Sequence, residues 1–142
     1  MITDPDRTRL AVLGSPIAHS RSPLLHAAAY AALGLPWSYE RHEVGEGGLA
    51  SFLDGLDDSW RGLSLTMPLK PEAFGLVDTA SDVAEETGAV NTLLLVGGRR
   101  AGYNTDVHGI MQALRDARIE PGRSTLVLGA GATARSVVSA VR

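Results

Sequence analysis

From end to end the chain alternates short apolar runs of strand length with stretches carrying apolar residues at helical spacing. Most apolar runs end in a polar loop bearing glycine or proline. Leu10 to Leu13 runs into Gly14-Ser15-Pro16, Gly62 to Thr66 stops at Met67-Pro68, and Asn91 to Val96 meets Gly97-Gly98. Runs of this length bounded by turn residues read as buried strands. Strands alternating with helices read as a mostly parallel sheet with helices on both faces. The expected fold class is therefore α/β, a three-layer αβα unit. In such sheets ligands bind outside the carboxyl ends of the strands, and the polar clusters of this chain fall after the predicted strands.

The helices are punctuated in the same way. Ser22-Pro23 supplies an N-cap followed by proline at the first helical position, the run Leu24 to Leu33 continues the helix, and Gly34 stops it. Trp37 to Val44 is a strand with Trp37 and Tyr39 on one face, and Leu49, Phe52, Leu53 and Leu56 share a helical face. A helical region is expected from Pro71 to Thr87, broken near Thr79-Ala80-Ser81. Gly97-Gly98 marks a hairpin returning from about Arg99 to Tyr103. Thr105 or Asp106 caps a helix carrying Ile110, Met111 and Leu114, and Pro121-Gly122 breaks the chain. Ser124 to Leu128 reads as a new strand, Gly129-Ala130-Gly131 as a tight turn, and Ala132 onward as a helix. The expected organisation is a first domain over residues 1–103, a connecting helix and linker over 104–122, and the opening of a second domain over 123–142. One strand and one helix cannot bury their own apolar faces, so the second domain is expected to be incomplete and the natural polypeptide longer.

Composition narrows the function. Hydrophobic residues make up 44% and charged residues 20% of the 142, enough apolar content to build a core. A net charge of −3 gives no basic field for a nucleic-acid backbone. No apolar run approaches the roughly 20 residues that span a bilayer, and the first residues lack a signal peptide's apolar stretch. The expected address is cytoplasmic. The absence of cysteine removes disulfides, thiolate metal sites and thiol nucleophiles. His19 and His26 stand at no metal-ligand spacing from other histidines or carboxylates, so they read as structural and no metal is expected. Monomer and homodimer are both open.

The residues that could carry chemistry fall in clusters. In Gly14 to Pro23, Ser20 and Ser22 flank Arg21 just before a helix whose amide dipoles favour an anion. They could hold a small substrate's carboxylate or hydroxyl, or serve only as a loop residue and a helix cap. Lys70 follows a predicted strand end between Pro68 and Pro71. A partly desolvated lysine there can act in proton exchange; otherwise it is a solvated surface residue. Asn91 offers both donor and acceptor to a hydroxyl-rich substrate. Asp106 is a helix cap or, if it lies beside Lys70, the carboxylate that holds the lysine in place. Gly129-Ala130-Gly131-Ala132-Thr133-Ala134 is a G-x-G-x-x-A between strand and helix, where backbone amides can approach a pyrophosphate without an intervening side chain. The residue that separates NAD from NADP is expected about 20 positions further on, past Arg142.

In order, Gly14 to Pro23, Thr66-Met67-Pro68-Leu69-Lys70, Gly88-Ala89-Val90-Asn91-Thr92, Asn104-Thr105-Asp106 and the glycine turn resemble the shikimate dehydrogenase family, from about Ala11 to the last residues. The resemblance implies NADP-dependent, reversible reduction of 3-dehydroshikimate to shikimate in aromatic amino-acid biosynthesis. It implies Ser20 and Ser22 on the substrate carboxylate, and Thr66, Asn91 and Asp106 on the ring hydroxyls. It also implies Lys70 as proton donor and acceptor with Asp106 as its partner. Residues 1–103 would be the shikimate-binding domain and 123–142 the first strand-turn-helix of an incomplete Rossmann domain, in which Gly129, Ala130, Gly131, Ala132 and Thr133 would hold the pyrophosphate of NADP, with Asp82 near the nicotinamide end. The sequence departs from the family at Ser64, usually asparagine, and at Ala132, usually glycine. The alternatives are an NAD-using quinate/shikimate dehydrogenase and a non-catalytic shikimate-binding module. Either way, this chain alone is expected to be inactive as a dehydrogenase.

Overall fold

A computed structural model describes residues 8–119 and 124–142. A six-stranded sheet organises the first of these segments, with spatial order β2-β1-β3-β5-β6-β4. The strands are β1 (Arg9–Gly14), β2 (Ser38–Glu43), β3 (Trp60–Leu65), β4 (Thr79–Ala80), β5 (Thr92–Val96) and β6 (Arg99–Tyr103). Pairings β1–β2, β1–β3 and β4–β6 are parallel, whereas β3–β5 and β5–β6 are antiparallel. The sheet is thus mostly parallel and interrupted by one hairpin. Gly97 and Gly98 build that hairpin at φ of 59° and 74°, left-handed values that glycine adopts without strain.

Strand alternation sends β1 residues to opposite faces. Ala11 and Leu13 enter a core with Leu63, Leu65 and Leu93. That face is closed by α2 (Leu49–Asp54), α3 (Leu69–Phe74) and α4 (Asp82–Thr87) through Leu49, Leu53, Leu69, Ala73 and Ala84. Val12 points the other way, into a smaller cluster with Ile17, Tyr39 and Tyr30 of α1 (Ser22–Leu33). His26 stacks on Tyr39 at 3.8 Å, and Trp37 meets Tyr30 edge-on. Trp60 breaks the parity of Leu63 and Leu65 yet joins their core. The pairing steps from Arg9↔Trp60 to Leu10↔Gly62, and the extra residue, Arg61, resets which side faces inward.

Several expectations need correction. Ser22 is the first residue of α1 rather than its cap; Arg21 occupies the cap without a side-chain bond, and the Ser22 amide donates to Ser20 Oγ at 3.4 Å. The helical region expected from Pro71 begins at Leu69, and its break is the short strand β4, drawn out by pairing with β6. Ser124 to Leu128 forms no strand. A strand exists through the ladder its neighbour supplies, and the element that follows this segment, α6 (Ala132–Ala140), packs on helices, α5 (Asp106–Asp116) and α4, rather than on the sheet. Leu126 and Leu128 accordingly stay exposed. The expected break at Pro121-Gly122 lies outside the described residues.

Gly14 ends β1 where the loop after β3 crosses it. A Cβ there would collide with Thr66 Cγ2 and lie 2.8 Å from the Met67 carbonyl oxygen, which itself accepts from the Ser15 amide at 2.9 Å. Gly14→Ala should therefore destabilise the fold by about 1–3 kcal/mol, as other overpacked sites do; an unchanged urea midpoint would count against the close approach. Burial holds the Tyr39 phenol above its ordinary value, opposed by its hydrogen bond to Ser64. Tyr30 is raised too, by burial first and then by neighbouring Tyr39. The fold thus keeps phenolic protons that the unfolded chain releases. This contribution is full below about pH 10 and is lost as pH rises beyond it. Tyr39→Phe should flatten that alkaline decline of the urea midpoint.

Candidate functional site

One end of the sheet collects the polar residues, and the hairpin is the reason. β1 and β3 are parallel, so Gly14 and Leu65 finish at the same end. β5 runs the other way and begins there, with Thr92 opposite Ser64; β6 returns, bringing Tyr103 opposite Thr92. Asn91 therefore reaches the site by preceding its strand rather than following it, unlike the clusters at the ends of β1, β3 and β6. The backbone is laced across this end. Thr66 N–H donates to the Leu13 carbonyl at 2.9 Å, Leu65 N–H to that of Asn91 at 2.8 Å, and Asn91 N–H to that of Tyr103 at 3.0 Å.

At its centre the Lys70 ammonium donates to Asp106 Oδ2 at 2.6 Å. The pair is mostly buried, the two side chains keeping 13% and 25% of their exposure, so its geometry is held more tightly than that of a solvated pair. Lys70 sits in the first turn of α3, and its carbonyl accepts from Val90 N–H at 2.9 Å. Asp106 starts α5. Asn91 completes the group. Its Nδ2 donates to Asp106 Oδ1 at 2.7 Å and Thr105 Oγ1 at 2.9 Å, while its Oδ1 accepts from Thr92 Oγ1 at 2.9 Å and from Thr105 N–H at 3.1 Å. The result is an ammonium, a carboxylate and an amide meeting where a substrate hydroxyl could exchange a proton with the first and hydrogen-bond the others.

The structure thus joins Lys70, Asn91 and Asp106. Thr66 and Lys70 line a cleft of about 400 Å³ whose other wall is formed by Gly129, Gly131, Ala132 and Thr133. Ala130 lines a neighbouring groove with Glu86 and Arg135. Ser20 and Ser22 lie in and after the β1 loop, both half-buried. Among the described residues no hydrogen bond links them to Lys70, Asn91 or Asp106. Asp82 stands apart as an exposed acid in the first turn of α4, whose cap is Ser81. Thr105, expected only as a helix cap, contacts Asn91, and Arg41, which no sequence motif marks, donates from its guanidinium to the Ala18 and Ser20 carbonyls at 2.8 and 3.2 Å and so braces the serine loop. Tyr39 donates to Ser64 Oγ at 2.7 Å. A tyrosine facing a serine across the sheet leaves no sequence signal, because the pairing depends on register.

The glycine turn is open. An added Cβ at Gly129 or Gly131 would meet nothing within 4 Å, Gly129 has φ of 115°, and no side chain caps α6. Free amides at an uncapped helix start fit an anion such as a pyrophosphate.

Residues 12–93 match the family model described as shikimate dehydrogenase substrate binding domain. A shikimate dehydrogenase (NADP(+)) of Thermus thermophilus is 45% identical over 134 residues, covering 94% of this chain and 51% of the relative. The solved structure of the shikimate 5-dehydrogenase from that organism in complex with NADP(H) and shikimate superimposes with a TM-score of 0.87 at 44% identity, over 94% of this chain and 51% of that one. Shikimate dehydrogenase from Aquifex aeolicus gives a TM-score of 0.91 at 34% identity, over 99% and 53%. The chain spans about half the length of the curated relatives it matches. With that match lying across the β1–β5 core that carries Lys70 and Asn91, the chain belongs to the shikimate dehydrogenase substrate binding domain family.

Proposed function

We propose that this chain is the substrate-holding half of an NADP-dependent shikimate dehydrogenase, which interconverts 3-dehydroshikimate and shikimate. The observation that carries the reading is the Lys70–Asp106–Asn91 group at the sheet end, whose Lys70 lines a cleft shared with the glycine turn. Residues 1–103 would form the substrate domain, 104–122 the connection, and 123–142 the start of the nucleotide-binding domain. The ring would lie at the sheet end with its carboxylate on Ser20 and Ser22 and its hydroxyls on Thr66, Asn91 and Asp106. In its neutral amine form Lys70 would take the proton from the reacting hydroxyl at C3 during oxidation, becoming the ammonium, which would return that proton during reduction. Asp106 and Asn91 keep the ammonium and the hydroxyl in register, so that proton movement needs little rearrangement. Gly129 to Thr133 would hold the pyrophosphate of NADP, which when bound supplies or accepts the electron pair. Asp82 would lie nearer the nicotinamide end.

Titration calorimetry of the chain with shikimate tests this directly. Binding is expected, weakened by Lys70→Ala, Asp106→Asn, Ser20→Ala and Ser22→Ala; absence of binding by the folded wild-type chain would overturn the assignment. The 142-residue chain is also expected to show no shikimate-dependent NADP reduction, since it offers one turn and one helix to the nucleotide; turnover by purified protein would contradict that. Joined to a nucleotide-binding half like those of its relatives, Lys70→Ala should lower kcat by about 10² to 10⁴, while the serine variants should mainly raise KM. An unchanged kcat and pH profile would remove Lys70 from the mechanism.

A further inference from the structure

The buried polar residues among those described are Thr87, Asn91, Asn104 and Ser136. Asn91 belongs to the group already described; the other three lie directly behind it. Asn104 Nδ2 donates to Thr87 Oγ1 at 2.9 Å and to Ser136 Oγ at 3.1 Å, and its Oδ1 accepts from Asp106 N–H at 2.9 Å. Ser136 is wholly buried and lies one turn into α6, the helix that follows Gly129–Gly131. Beside it, Arg135 Nε donates to the Thr87 carbonyl at 2.7 Å and its terminal nitrogen to that of Gly88 at 3.3 Å. A cation on those carbonyls suits the negative end of α4. The chain then runs from Gly88 in a few residues to Asn91.

Helix α6 is therefore docked on the roots of both Asn91 and Asp106. Both Asn104 amide hydrogens have acceptors, one of them supplied by α6. Without the Ser136 hydroxyl a buried donor would lose its acceptor, an arrangement the side chain relieves by turning away. Turning moves Oδ1, and with it the hydrogen bond that fixes the Asp106 backbone. We propose that Ser136 and Asn104 are positioning residues through which the nucleotide-side helix α6 sets the register of Asp106 against Lys70, so that substrate binding at the sheet end depends on how α6 is seated.

The proposal rests on the shikimate reading for its ligand but not for its structural readout. Ser136→Ala keeps a good helix former at the position, so the variant is expected to fold. In the chain as it stands, it should weaken shikimate binding by roughly fivefold, the lower range of coupling between sites. It should also speed amide hydrogen exchange at Asp106 relative to neighbouring α5 amides. In an Asp106→Asn background Ser136→Ala should weaken binding no further, because its effect passes through that carboxylate. Additive losses in the double variant, or Asp106 exchange unchanged by Ser136→Ala, would overturn the proposal. If Lys70→Ala and Asp106→Asn leave shikimate binding intact, the functional reading fails instead, and Asp106 exchange alone decides whether the link from α6 exists.

Discussion

A buried amide must place every polar atom or forfeit the hydrogen bonds it made in water, and Asn91 meets that demand by tying together the parts of the fold that form the site. Its main chain bridges β3 and the end of β6, and its side chain holds Thr105, Thr92 and Asp106. Any arrangement in which β5 slipped along β3 would break those bonds together. The register of the hairpin and the place of the carboxylate are therefore one constraint.

That constraint explains how a mixed sheet serves a site expected of parallel ones. Reversal of β5 brings the start of one strand beside the ends of two others, β3 and β6, so Asn91 and Lys70 converge although their elements run in different senses. The surrounding core is apolar and unremarkable, with Leu13, Leu69, Leu93 and Val90 fully buried. Polar burial is concentrated where chemistry is proposed and along the contact with α6. The Lys70–Asp106 pair keeps part of its exposure, and Lys70 lines the cleft, as a group must that exchanges a proton with something arriving from outside.

Much of this was legible in the residue order. The Gly97-Gly98 hairpin and the Gly34 stop of α1 follow from backbone rules that need no tertiary knowledge, and the motifs at Lys70, Asn91 and Asp106 carried the family resemblance. What spacing could not show was that Lys70 and Asp106 touch, since 36 residues and three strands separate them. Nor could it place Ser136, an ordinary serine on a short helix whose value lies in what it meets. Ser124 to Leu128 misled for the opposite reason: its composition favours a strand, but pairing belongs to the neighbour as much as to the segment.

The two borders of the sheet differ in kind from this last segment, and the difference bears on how the chain behaves in company. A free strand border invites pairing with another molecule. Here β2 carries Glu40, Arg41, His42 and Glu43, and β4 at the far side is only two residues long, so neither offers a long apolar template. Ser124 to Ala134 carries no charge at all, and its Leu126 and Leu128 are 84% and 89% exposed. The uncharged run with which a neighbouring strand could pair thus lies outside the sheet rather than at its borders.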